Sequence, residues 1–372
     1  MKLKILHINS YYSSSPFYKN LFEEQRKGNL HINVYVPVSK NFQRPDFDFG
    51  EYTTVSRCYF NFARLFFHLK HQMVYNDIIQ KINIKNFEII HAHSLFSNGY
   101  IAWKIKQKYN IPYIVAVRNT DLNIFFKRMI HLRKLGVKIL KEAEKIIFIS
   151  EPYKESVLQN YISNSEKNEI ERKSVVLPNG IDNFWFENKG KEKSIKVDGK
   201  INLLYVGVVN KNKNLETTVD AIKILRKKGL DVKFTVVGDV KEQRIFEKLK
   251  NNDFIRFLPK TNKQNLLHIY STNHIFIMPS INETFGLVYA EAMTQGLPVI
   301  YTRNQGFDRQ FIDGKIGYAV DCFDRVEIAN KIENILERYQ DISQECLKQT
   351  TRYSWNTLEK SYYEIYLNTK LH

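Results

Sequence analysis

The hydrophobic pattern in the first half of the chain is a series of short apolar runs, rich in Ile, Val and Phe, that alternate with amphipathic stretches. Runs of this length and composition are typical of strands that are buried on both faces of a parallel sheet. The runs are KILHIN (4–9), INVYVPV (32–38), FEIIHAH (87–93), YIVAV (113–117) and KIIFIS (145–150). The amphipathic stretches between them predict helices, so the pattern indicates an α/β fold.

The same alternation begins again after residue 200. Its runs are INLLYVG (201–207), VKFTVVGD (232–239), FIRFL (254–258), HIFIMPS (274–280) and LPVIYT (297–302). The charged segment ENKGKEKSIKVDGK, residues 187–200, has no apolar periodicity and separates the two series, which predicts a linker. Two such series predict two doubly wound, Rossmann-like domains that face a cleft.

These patterns divide the chain into a first domain at residues 1–186, the linker at 187–200 and a second domain at 201–353. We expect a final helix, residues 354–372, to pack back onto the first domain. Ligands of doubly wound sheets bind beyond the carboxyl ends of the strands. Functional residues are therefore expected in the loops that lead from strands to helices.

Composition agrees with an ordinary folded protein, since 43% of the 372 residues are hydrophobic and 26% are charged. Cys58, Cys322 and Cys346 are widely spaced and form no CxxC pair, which argues against a cysteine metal site and favours a reducing compartment. The N-terminus lacks the apolar core of a signal peptide, and no run near 18 apolar residues follows. We therefore expect a cytoplasmic protein that does not span a membrane.

The most informative segment is PSINETFGLVYAEAMTQGLPVIYT, residues 279–302, which predicts a helix from near Thr284 to Gly296. Glu283 and Glu291 are eight positions apart, or about 12 Å along a helix. That distance matches the reach from the ribose of a nucleotide to a sugar on its diphosphate. The alternative is that Glu283 only complements the helix dipole while Glu291 is solvated.

Backbone amides at the start of this predicted helix would form an anion site suited to a diphosphate. The amides belong to Thr284, Phe285, Gly286 and Leu287. Gly286 has no side chain and would allow a ligand to approach the backbone closely.

The segment ETFGLVYAE, followed by AMTQGLPVI, resembles the E-x7-E signature of glycosyltransferase family 4, whose members are retaining enzymes of the GT-B fold. The resemblance covers nearly all of the second domain. It extends through LPNGID (177–182), YVGVVNKNKNLETTVDAI (205–222), TVVGD (235–239), FLPK (257–260), LLHIYSTNHIFIMPS (266–280), GKIGYAV (314–320) and YSW (353–355).

The resemblance implies that Glu291 binds the ribose hydroxyls of a nucleotide sugar, and that Glu283 and the amides after it contact the transferred sugar and the diphosphate. It also implies a reaction in which the nucleotide sugar is a substrate, with neither a cofactor nor a metal ion. UDP is favoured over GDP because UDP is common in the family.

The loop after Gly207 departs from the family pattern. The family usually supplies an Arg just after this glycine and a Lys five residues later, both of which contact the diphosphate. Lys213 occupies the Lys position, but Val208 stands at the Arg position. We expect Lys211 to replace the missing cation; the alternative is a protein that binds its ligand without catalysis.

The segment from His91 to Asn123 resembles the strand, helix and strand that lead to the family's H-G-x-D motif. Here the motif reads Arg118, Asn119, Thr120, Asp121, so an Arg replaces the usual His. Arg118 can bind an anion but cannot act as a base near neutral pH, and a buried ion pair with Asp121 is the structural alternative.

On the acceptor side, SYYSSSP (10–16) replaces the usual glycine-rich loop, and Ser13, Ser14 and Ser15 are candidates to bond a hydroxyl or a phosphate. A plain polar turn is the alternative. His91 and His93 have same-face spacing, but without a third ligand nearby they do not predict a metal site. His93 remains an acceptor-side candidate together with Asp121.

The net charge of +17 is concentrated in the first half, where residues 1–180 carry 27 basic and 15 acidic side chains, or +12. YFNFARLFFHLKH (59–71) and FFKRMIHLRKLGVK (125–138) combine aromatic and basic residues at spacings typical of amphipathic helices. These features favour peripheral binding to the inner, anionic face of the cell membrane and a lipid-linked acceptor; helices whose aromatic residues pack inward are the alternative.

The sequence thus predicts a glycosyltransferase that uses a nucleotide-sugar donor and a saccharide or lipid-linked acceptor in bacterial surface polysaccharide synthesis. A sugar-nucleotide epimerase or hydrolase of the same fold, or a non-catalytic sugar or polyanion binder, remains an alternative. Nucleic acid is not favoured as a partner, because the chain has neither zinc-finger spacing nor an RNA-binding aromatic motif.

Overall fold

The computed structural model describes residues 2–195 and 200–370, and the chain forms two compact units. The first unit contains the residues up to Ile149, the segment Tyr153–Pro178 and the segment that begins at Trp355. The second unit contains Ser150–Pro152 and Asn179–Ser354. The chain enters the second unit after Pro178, whereas the sequence pattern places the boundary after residue 186.

Seven parallel strands form the sheet of the first unit, in the order β3-β2-β1-β4-β5-β6-β7. They are β1 (Leu3–Ile8), β2 (Leu30–Ser39), β3 (Thr53–Tyr59), β4 (Ile89–Ala92), β5 (Tyr113–Val117), β6 (Lys145–Phe148) and β7 (Ser174–Val176). The five predicted strands are present. The sequence pattern misses β3 and β7 because one carries polar residues at an edge and the other has only three residues.

Helices follow most of these strands and cover the sheet. They are α1 (Lys19–Lys27), α2 (Phe67–Lys81), α3 (Ser97–Tyr109), α4 (Arg133–Glu142), α5 (Glu151–Asn160) and α6 (Asn164–Lys173). The strand order reverses between β1 and β4, so the loops after these strands diverge and leave room for a ligand at that edge.

The second unit has a six-stranded parallel sheet in the order β10-β9-β8-β11-β12-β13. Its elements are α7 (Phe184–Glu187), β8 (Lys200–Val206), α8 (Leu215–Lys227), β9 (Asp231–Val237), α9 (Gln243–Leu249), β10 (Ile255–Leu258), α10 (Lys263–Thr272), β11 (Ile275–Ile277), α11 (Leu287–Thr294), β12 (Val299–Thr302), β13 (Gly317–Val320), α12 (Arg325–Glu337) and α13 (Tyr339–Gln349). Both sheets are parallel and doubly wound, which confirms the predicted fold class.

The final helix, α14 (Trp355–Lys370), belongs to the first unit. Its apolar face buries Trp355, Leu358, Tyr362 and Tyr366 in the core that the first sheet shares with α1. The amide of Gln25, also fully buried, donates from Nε2 to the Tyr366 hydroxyl over 3.1 Å. The first unit is therefore built from segments at both ends of the sequence.

The described part of the segment predicted as a linker packs on the second unit. The Gly190 amide donates to the Thr294 carbonyl over 2.9 Å, and the Lys193 ammonium donates to carbonyls at the end of α10. Burial lowers the pKa of Lys193 to about 8. Residues 196–199 of the predicted linker lie outside the described residues. No helix in the described ranges has both the length and the apolar character needed to cross a bilayer.

Candidate active site

The carboxyl ends of β8 and β9 meet through glycines. A Cβ atom on Gly238 would lie 1.9 Å from the Gly207 carbonyl oxygen, so the β9 loop cannot carry a side chain at that contact. A cavity of about 250 Å³ lies at this edge. It is lined by Val206, Gly207, Val208, Val237, Gly238, Asp239, Lys260, Thr261 and Leu266. The cavity lies at the strand-to-helix loops, where the sequence pattern places the functional residues.

Lys213 and Glu283, 70 positions apart in the sequence, form an ion pair. The Lys213 Nζ atom donates to Glu283 Oε2 over 2.6 Å, and the side chains are 19% and 12% exposed. Lys213 ends a short 3-10 turn, Lys211–Lys213, which the Asn210 side chain caps by accepting from the Lys213 amide over 3.1 Å. Two of the predicted catalytic side chains are therefore in contact at low exposure, where a charge interaction is only weakly screened.

The loop after β8 gives Lys211 and Val208 different environments. Lys211 is exposed, and its backbone amide donates to Glu242 Oε1 over 3.1 Å. Val208 lines the cavity, and its carbonyl accepts a hydrogen bond of 2.7 Å from the Tyr205 hydroxyl. The lysine that lines the cavity is Lys260, which the sequence analysis does not single out.

The helix that carries Glu291 begins at Leu287, not near Thr284 as the sequence pattern predicts. Gly286 immediately precedes it with a φ of +72°, a left-handed conformation that a side chain would strain. Glu283 therefore lies in the loop before α11, and the estimate of about 12 Å, which assumed one continuous helix, has a wrong premise.

The four predicted anion-binding amides are not equivalent. The Thr284 amide donates to the carboxylate of its neighbour Glu283, at 3.1 Å from Oε1, so it is already occupied. The Phe285 ring is buried at 2% exposure and packs in the core of the second unit. The remaining amides surround the left-handed turn at Gly286 and the first turn of α11, where helix geometry leaves amides without intrahelical acceptors.

Gln305 and Gly306 hold the Glu283 loop in place, and sequence reasoning missed both. Gln305 Oε1 accepts from the Glu283 amide, and the Gly306 amide donates to the Glu283 carbonyl, each over 2.9 Å. A Cβ atom on Gly306 would lie 1.7 Å from the Thr284 carbonyl oxygen. The contact joins residues more than 20 positions apart, so no local sequence signal reveals it.

Glu291 is partly buried on α11, and burial raises the pKa of its carboxyl to about 7. The positive charge of Lys263 and the indole N–H of Trp185 oppose this rise in pKa, whereas Asp182 adds to it. Lys263 also forms an ion pair with Asp182. In this environment the carboxyl is about half protonated at neutral pH.

Trp185 comes from the short helix α7 and is buried at 1% exposure. Its indole N–H neighbours the Glu291 carboxyl and helps to stabilise the ionised form of that group. The sequence places Asp182 in the LPNGID motif, but it gives no sign that Trp185 and Lys263 adjoin Glu291.

In the first unit, Arg118 directly follows β5, and Asp121 is the first residue of a π-helix, Asp121–Phe126. The Asp121 carboxylate accepts the amides of Leu95, Phe96 and Arg118 at 2.9, 3.0 and 2.8 Å. Burial raises the pKa of Asp121 to about 6, and the amides counteract the rise. Asp121 is therefore a buried anchor of two loops, and its placement does not support contact with an acceptor.

The Arg118 guanidinium is 7% exposed and lies beside a group of tyrosines. Its Cζ atom is 5.9 Å from the centre of the Tyr18 ring, and Tyr362 and Tyr11 are further neighbours that raise its pKa. A guanidinium in this setting stays charged, so it can bind an anion and cannot act as a base.

The three predicted serines bond within their own turns. Ser13 Oγ donates to the Ser10 carbonyl over 2.7 Å, Ser14 Oγ donates to the Tyr11 carbonyl over 3.2 Å, and Ser15 Oγ accepts the Phe17 amide over 3.2 Å. These contacts match the alternative of a polar strand-to-helix turn. The neighbouring Tyr11 contacts the Arg118 loop, so both loops lie at the same edge of the first sheet.

His93 is fully buried and is not placed to contact an acceptor. Its ring stacks on His91 with centroids 4.1 Å apart, and its Nε2 shares a hydrogen bond of 3.0 Å with His7 Nδ1. Burial lowers the pKa of all three imidazoles, that of His7 to about 3, so they are neutral near pH 7.

His7 supplies a third histidine beside His91 and His93, so the prediction that no third ligand lies nearby is wrong. One ligating nitrogen from each ring lies within 4.8 Å of the others. However, no carboxylate joins this group among the described residues, and Arg118 adds a positive charge nearby. The positive charge of Arg118 disfavours a divalent cation at this buried group, and the expectation of no metal requirement stays a prediction.

Comparison with known proteins agrees with this architecture. Residues 5–183 match the family model described as Glycosyltransferase Family 4, and residues 186–353 match the model described as Glycosyl transferases group 1. The chain is a glycosyltransferase of the GT-B, family 4-like type. The family resemblance and the fold class predicted from the sequence are thereby confirmed.

Among relatives of this glycosyltransferase, the capsular polysaccharide biosynthesis glycosyltransferase CapM of Staphylococcus aureus is 26% identical over 357 residues, which cover 93% of this chain and 90% of that protein. Sucrose-phosphate synthase from Thermosynechococcus elongatus has the same fold, with a TM-score of 0.74 at 18% identity and 99% of both chains covered. Anabaena HepE, solved in complex with UDP and glucose, superposes with a TM-score of 0.66 at 14% identity over 97% of this chain and 98% of that one.

Proposed function

We propose that this glycosyltransferase moves a sugar from a nucleotide-diphosphate sugar, preferably a UDP-sugar, to a hydroxyl group of a saccharide acceptor with retention of anomeric configuration. The observation that carries the proposal is the Lys213–Glu283 ion pair, 2.6 Å long, in loops that follow β8 and β11 of the second unit. A cation and a carboxylate held together at the carboxyl edge of the sheet suit the diphosphate and the sugar hydroxyls of one donor.

In this proposal the donor nucleotide binds along the second sheet. Its base would occupy the cavity between the glycine loops of β8 and β9. Glu291 would accept hydrogen bonds from the ribose hydroxyls, and the free amides around Gly286 and Leu287 would contact the diphosphate. The UDP in the HepE complex is consistent with this choice of nucleotide.

Donor binding would exchange the partner of Lys213. In the structure Lys213 neutralises Glu283. A diphosphate offers a stronger acceptor for the ammonium group, which would release the Glu283 carboxylate to accept hydrogen bonds from the transferred sugar. Lys260, at the cavity, would supply a second cation in place of the Arg that Val208 replaces, whereas the exposed Lys211 is less suited to this role.

The chemical step needs neither an enzyme nucleophile nor a metal ion. The bond between the anomeric carbon and the diphosphate oxygen breaks, and the acceptor oxygen bonds to the anomeric carbon on the same face. The acceptor proton passes to the departing diphosphate. Lys213 would stabilise the charge that develops on this leaving group, which lowers the barrier because the interaction strengthens in the transition state.

The acceptor side belongs to the first unit in this proposal. Arg118 would bind an anionic group of the acceptor, since it stays charged and lies beside the loop that replaces the family's glycine-rich turn. We propose a lipid-linked saccharide of a bacterial surface polysaccharide as acceptor, at the inner face of the cell membrane. The name of the CapM relative and the charge of +12 in residues 1–180 support this choice.

Thermal stabilisation by a panel of UDP, GDP, ADP and their sugar derivatives tests the donor site. A ligand at 100 times its Kd should add about 2.7 kcal/mol of stability. Glu291→Ala should remove the shift, whereas Glu337→Ala, which alters an exposed carboxylate at the end of α12, should keep it. If no nucleotide stabilises the protein, the donor-site assignment fails.

The turnover rate tests the transfer step separately from nucleotide binding. Glu283→Ala should bind the nucleotide but lose most transfer activity. In this proposal the Glu283 carboxylate contacts the transferred sugar and not the ribose of the nucleotide. Product analysis with and without an acceptor distinguishes transfer from epimerisation or hydrolysis of the donor. A converted or free sugar as the main product would favour those activities.

A further inference from the structure

Large apolar side chains are exposed in a cluster on the first unit. Of the thirteen such side chains in the described ranges, five lie within ten residues between β3 and the second turn of α2. They are Phe60, Phe62, Leu65, Phe66 and Leu69, with exposed fractions of 43, 58, 81, 58 and 45%. Singly exposed apolar residues are ordinary, but a contiguous cluster marks a binding surface.

The local backbone explains why these side chains face solvent. The sequence pattern predicts an amphipathic helix over 59–71, but residues Asn61–Leu65 form a 3-10 turn and α2 begins only at Phe67. Tyr59, Ala63 and His71 point into the unit and are buried. The Phe60 and Phe62 rings stack on each other outside it, with centroids 5.7 Å apart.

Cations surround the cluster. Lys40 Nζ lies 4.0 Å from the centre of the Phe60 ring, and Arg64 and Lys70 lie 6.0 and 5.1 Å from the centre of the Tyr59 ring. Residues 59–71 contain no acidic residue. Lys40 and Arg64 are exposed, and neither forms an ion pair within the part of the chain that the structure describes, so their charge is available to an external anion.

A second segment extends this surface. The Phe125 ring contacts Phe67 at a centroid distance of 5.9 Å, which brings residues 124–130 beside the start of α2. Ile124 and Ile130 are 45 and 65% exposed, and the intervening Lys127 and Arg128 are exposed as well. Residues 122–141 also lack acidic side chains. Both segments therefore combine exposed apolar groups with unopposed positive charge.

We propose that the exposed side chains of residues 60–70 and 124–130, together with Lys40, form a docking surface for an anionic phospholipid bilayer. The apolar side chains enter the headgroup region while the cations contact lipid phosphates, as expected for an amphipathic, positively charged surface. The inference deepens the proposed function and rests on it for its purpose, which is to bring the first unit to a lipid-linked acceptor.

Cosedimentation of the full chain with vesicles tests the surface without any need for enzyme activity. The wild-type chain should bind vesicles that contain phosphatidylglycerol and bind neutral phosphatidylcholine vesicles at least about tenfold more weakly, with affinity falling as salt rises. Arg64→Glu/Lys127→Glu should lower the affinity by about 25-fold or more, because each cation near the bilayer contributes a factor of about five.

The variant Phe62→Ser/Leu65→Ser/Phe66→Ser tests the apolar side chains of the docking surface. Its matched control is Ile312→Ser/Phe323→Ser, which alters side chains of the second unit that are 80 and 65% exposed. The triple variant should lose about tenfold or more in vesicle affinity at an unchanged Tm, whereas the control should bind as the wild type does. Nucleotide-induced stabilisation should persist in all variants, so a failure of the surface is distinguishable from a failure of the donor site.

Equal binding to neutral and anionic vesicles, or no binding to either, would overturn the proposal. So would a triple variant that binds like its control. A change of oligomeric state in the triple variant without any change in vesicle binding would show instead that the surface contacts a second copy of the chain.

Discussion

Four effects set the pKa of the Glu291 carboxyl, and they do not cancel. Burial raises its pKa, Lys263 and the Trp185 N–H lower it, and Asp182 raises it again, with a result of about 7 against an ordinary value of 4.5. A carboxyl with this pKa is poised between its two protonation states at neutral pH, so folding, and any ligand binding at this group, is linked to pH.

Glu291→Gln should flatten the pH dependence of stability. Between the ordinary pKa and about 7 the folded protein holds a proton that the unfolded chain releases. Stability therefore falls as pH rises through this window, and it is level above it. Urea unfolding of both proteins at pH 5, 6, 7 and 8 measures the effect. Parallel curves for variant and wild type would contradict the assignment.

Nucleotide affinity should change in the opposite direction. If ribose hydroxyls donate to the ionised carboxylate, nucleotide binding to the wild type should be up to about tenfold weaker at pH 6 than at pH 8. At pH 6 only about a tenth of a group with a pKa of about 7 is ionised. Titration calorimetry checks this, and Glu291→Gln should bind weakly at both pH values.

The Lys213–Glu283 pair allows a double-mutant cycle. Lys213→Met leaves a carboxylate of 12% exposure without its cation and should cost about 3 kcal/mol. Lys213→Met/Glu283→Gln should cost less than the sum of the single variants by about 1 to 3 kcal/mol, because the unpaired charge is gone. Denaturant titrations of the four proteins provide the values; additive costs would show that the pair is not coupled.

At the scale of elements, the strand series was predictable because buried parallel strands are continuous apolar runs, and ten such runs gave ten strands. The start of α11 was not predictable in the same way. The sequence of the E-x7-E segment predicts a continuous helix, but Gly286 adopts a left-handed conformation that the neighbouring residues do not predict. The contacts of Glu283 with Lys213 and Gln305, and the charge interaction of Glu291 with Lys263, join distant segments, so only the folded chain brings them together.

Gly306→Ala tests how the Glu283 loop is held. The added methyl group would meet the Thr284 carbonyl oxygen at 1.7 Å, so the loop must move and the Gly306–Glu283 hydrogen bond is lost. We expect a loss of transfer activity of at least about tenfold, as expected when a positioned group shifts by about an ångström. Gly229→Ala is the control, because its Cβ would meet no atom within 4 Å, and it should retain activity despite its φ of +93°. Equal activity in both variants would argue against a positioning role for this contact.

At the scale of the whole molecule, the first unit is assembled from distant parts of the sequence. The Tyr366 hydroxyl of α14 accepts from Gln25 Nε2 and contacts His91 Nδ1 at 2.7 Å. Because this hydroxyl accepts from Gln25, it is free to donate to His91. One side chain thereby joins α14, α1 and β4 in the core.

Tyr366→Phe should destabilise the first unit by about 2 to 4 kcal/mol, since it leaves two fully buried polar groups without partners. Tyr363→Phe, on the same helix at a partly exposed position, should cost less than about 0.5 kcal/mol. Calorimetry should show a lower Tm for a transition of the first unit in the first variant only. A similar Tm in both variants would exclude a stabilising role for this hydroxyl.

The discontinuous first unit also sets an order of events during synthesis on the ribosome. The residues before Ser150 emerge first, yet the apolar surface that receives Trp355, Leu358, Tyr362 and Tyr366 stays uncovered until the whole second unit has been translated. The second unit, which is nearly continuous in sequence, can fold while the first still waits for its final helix. The nascent chain therefore carries an exposed hydrophobic surface through the translation of more than 170 residues, and we expect its yield in the cell to depend on chaperones that bind such surfaces.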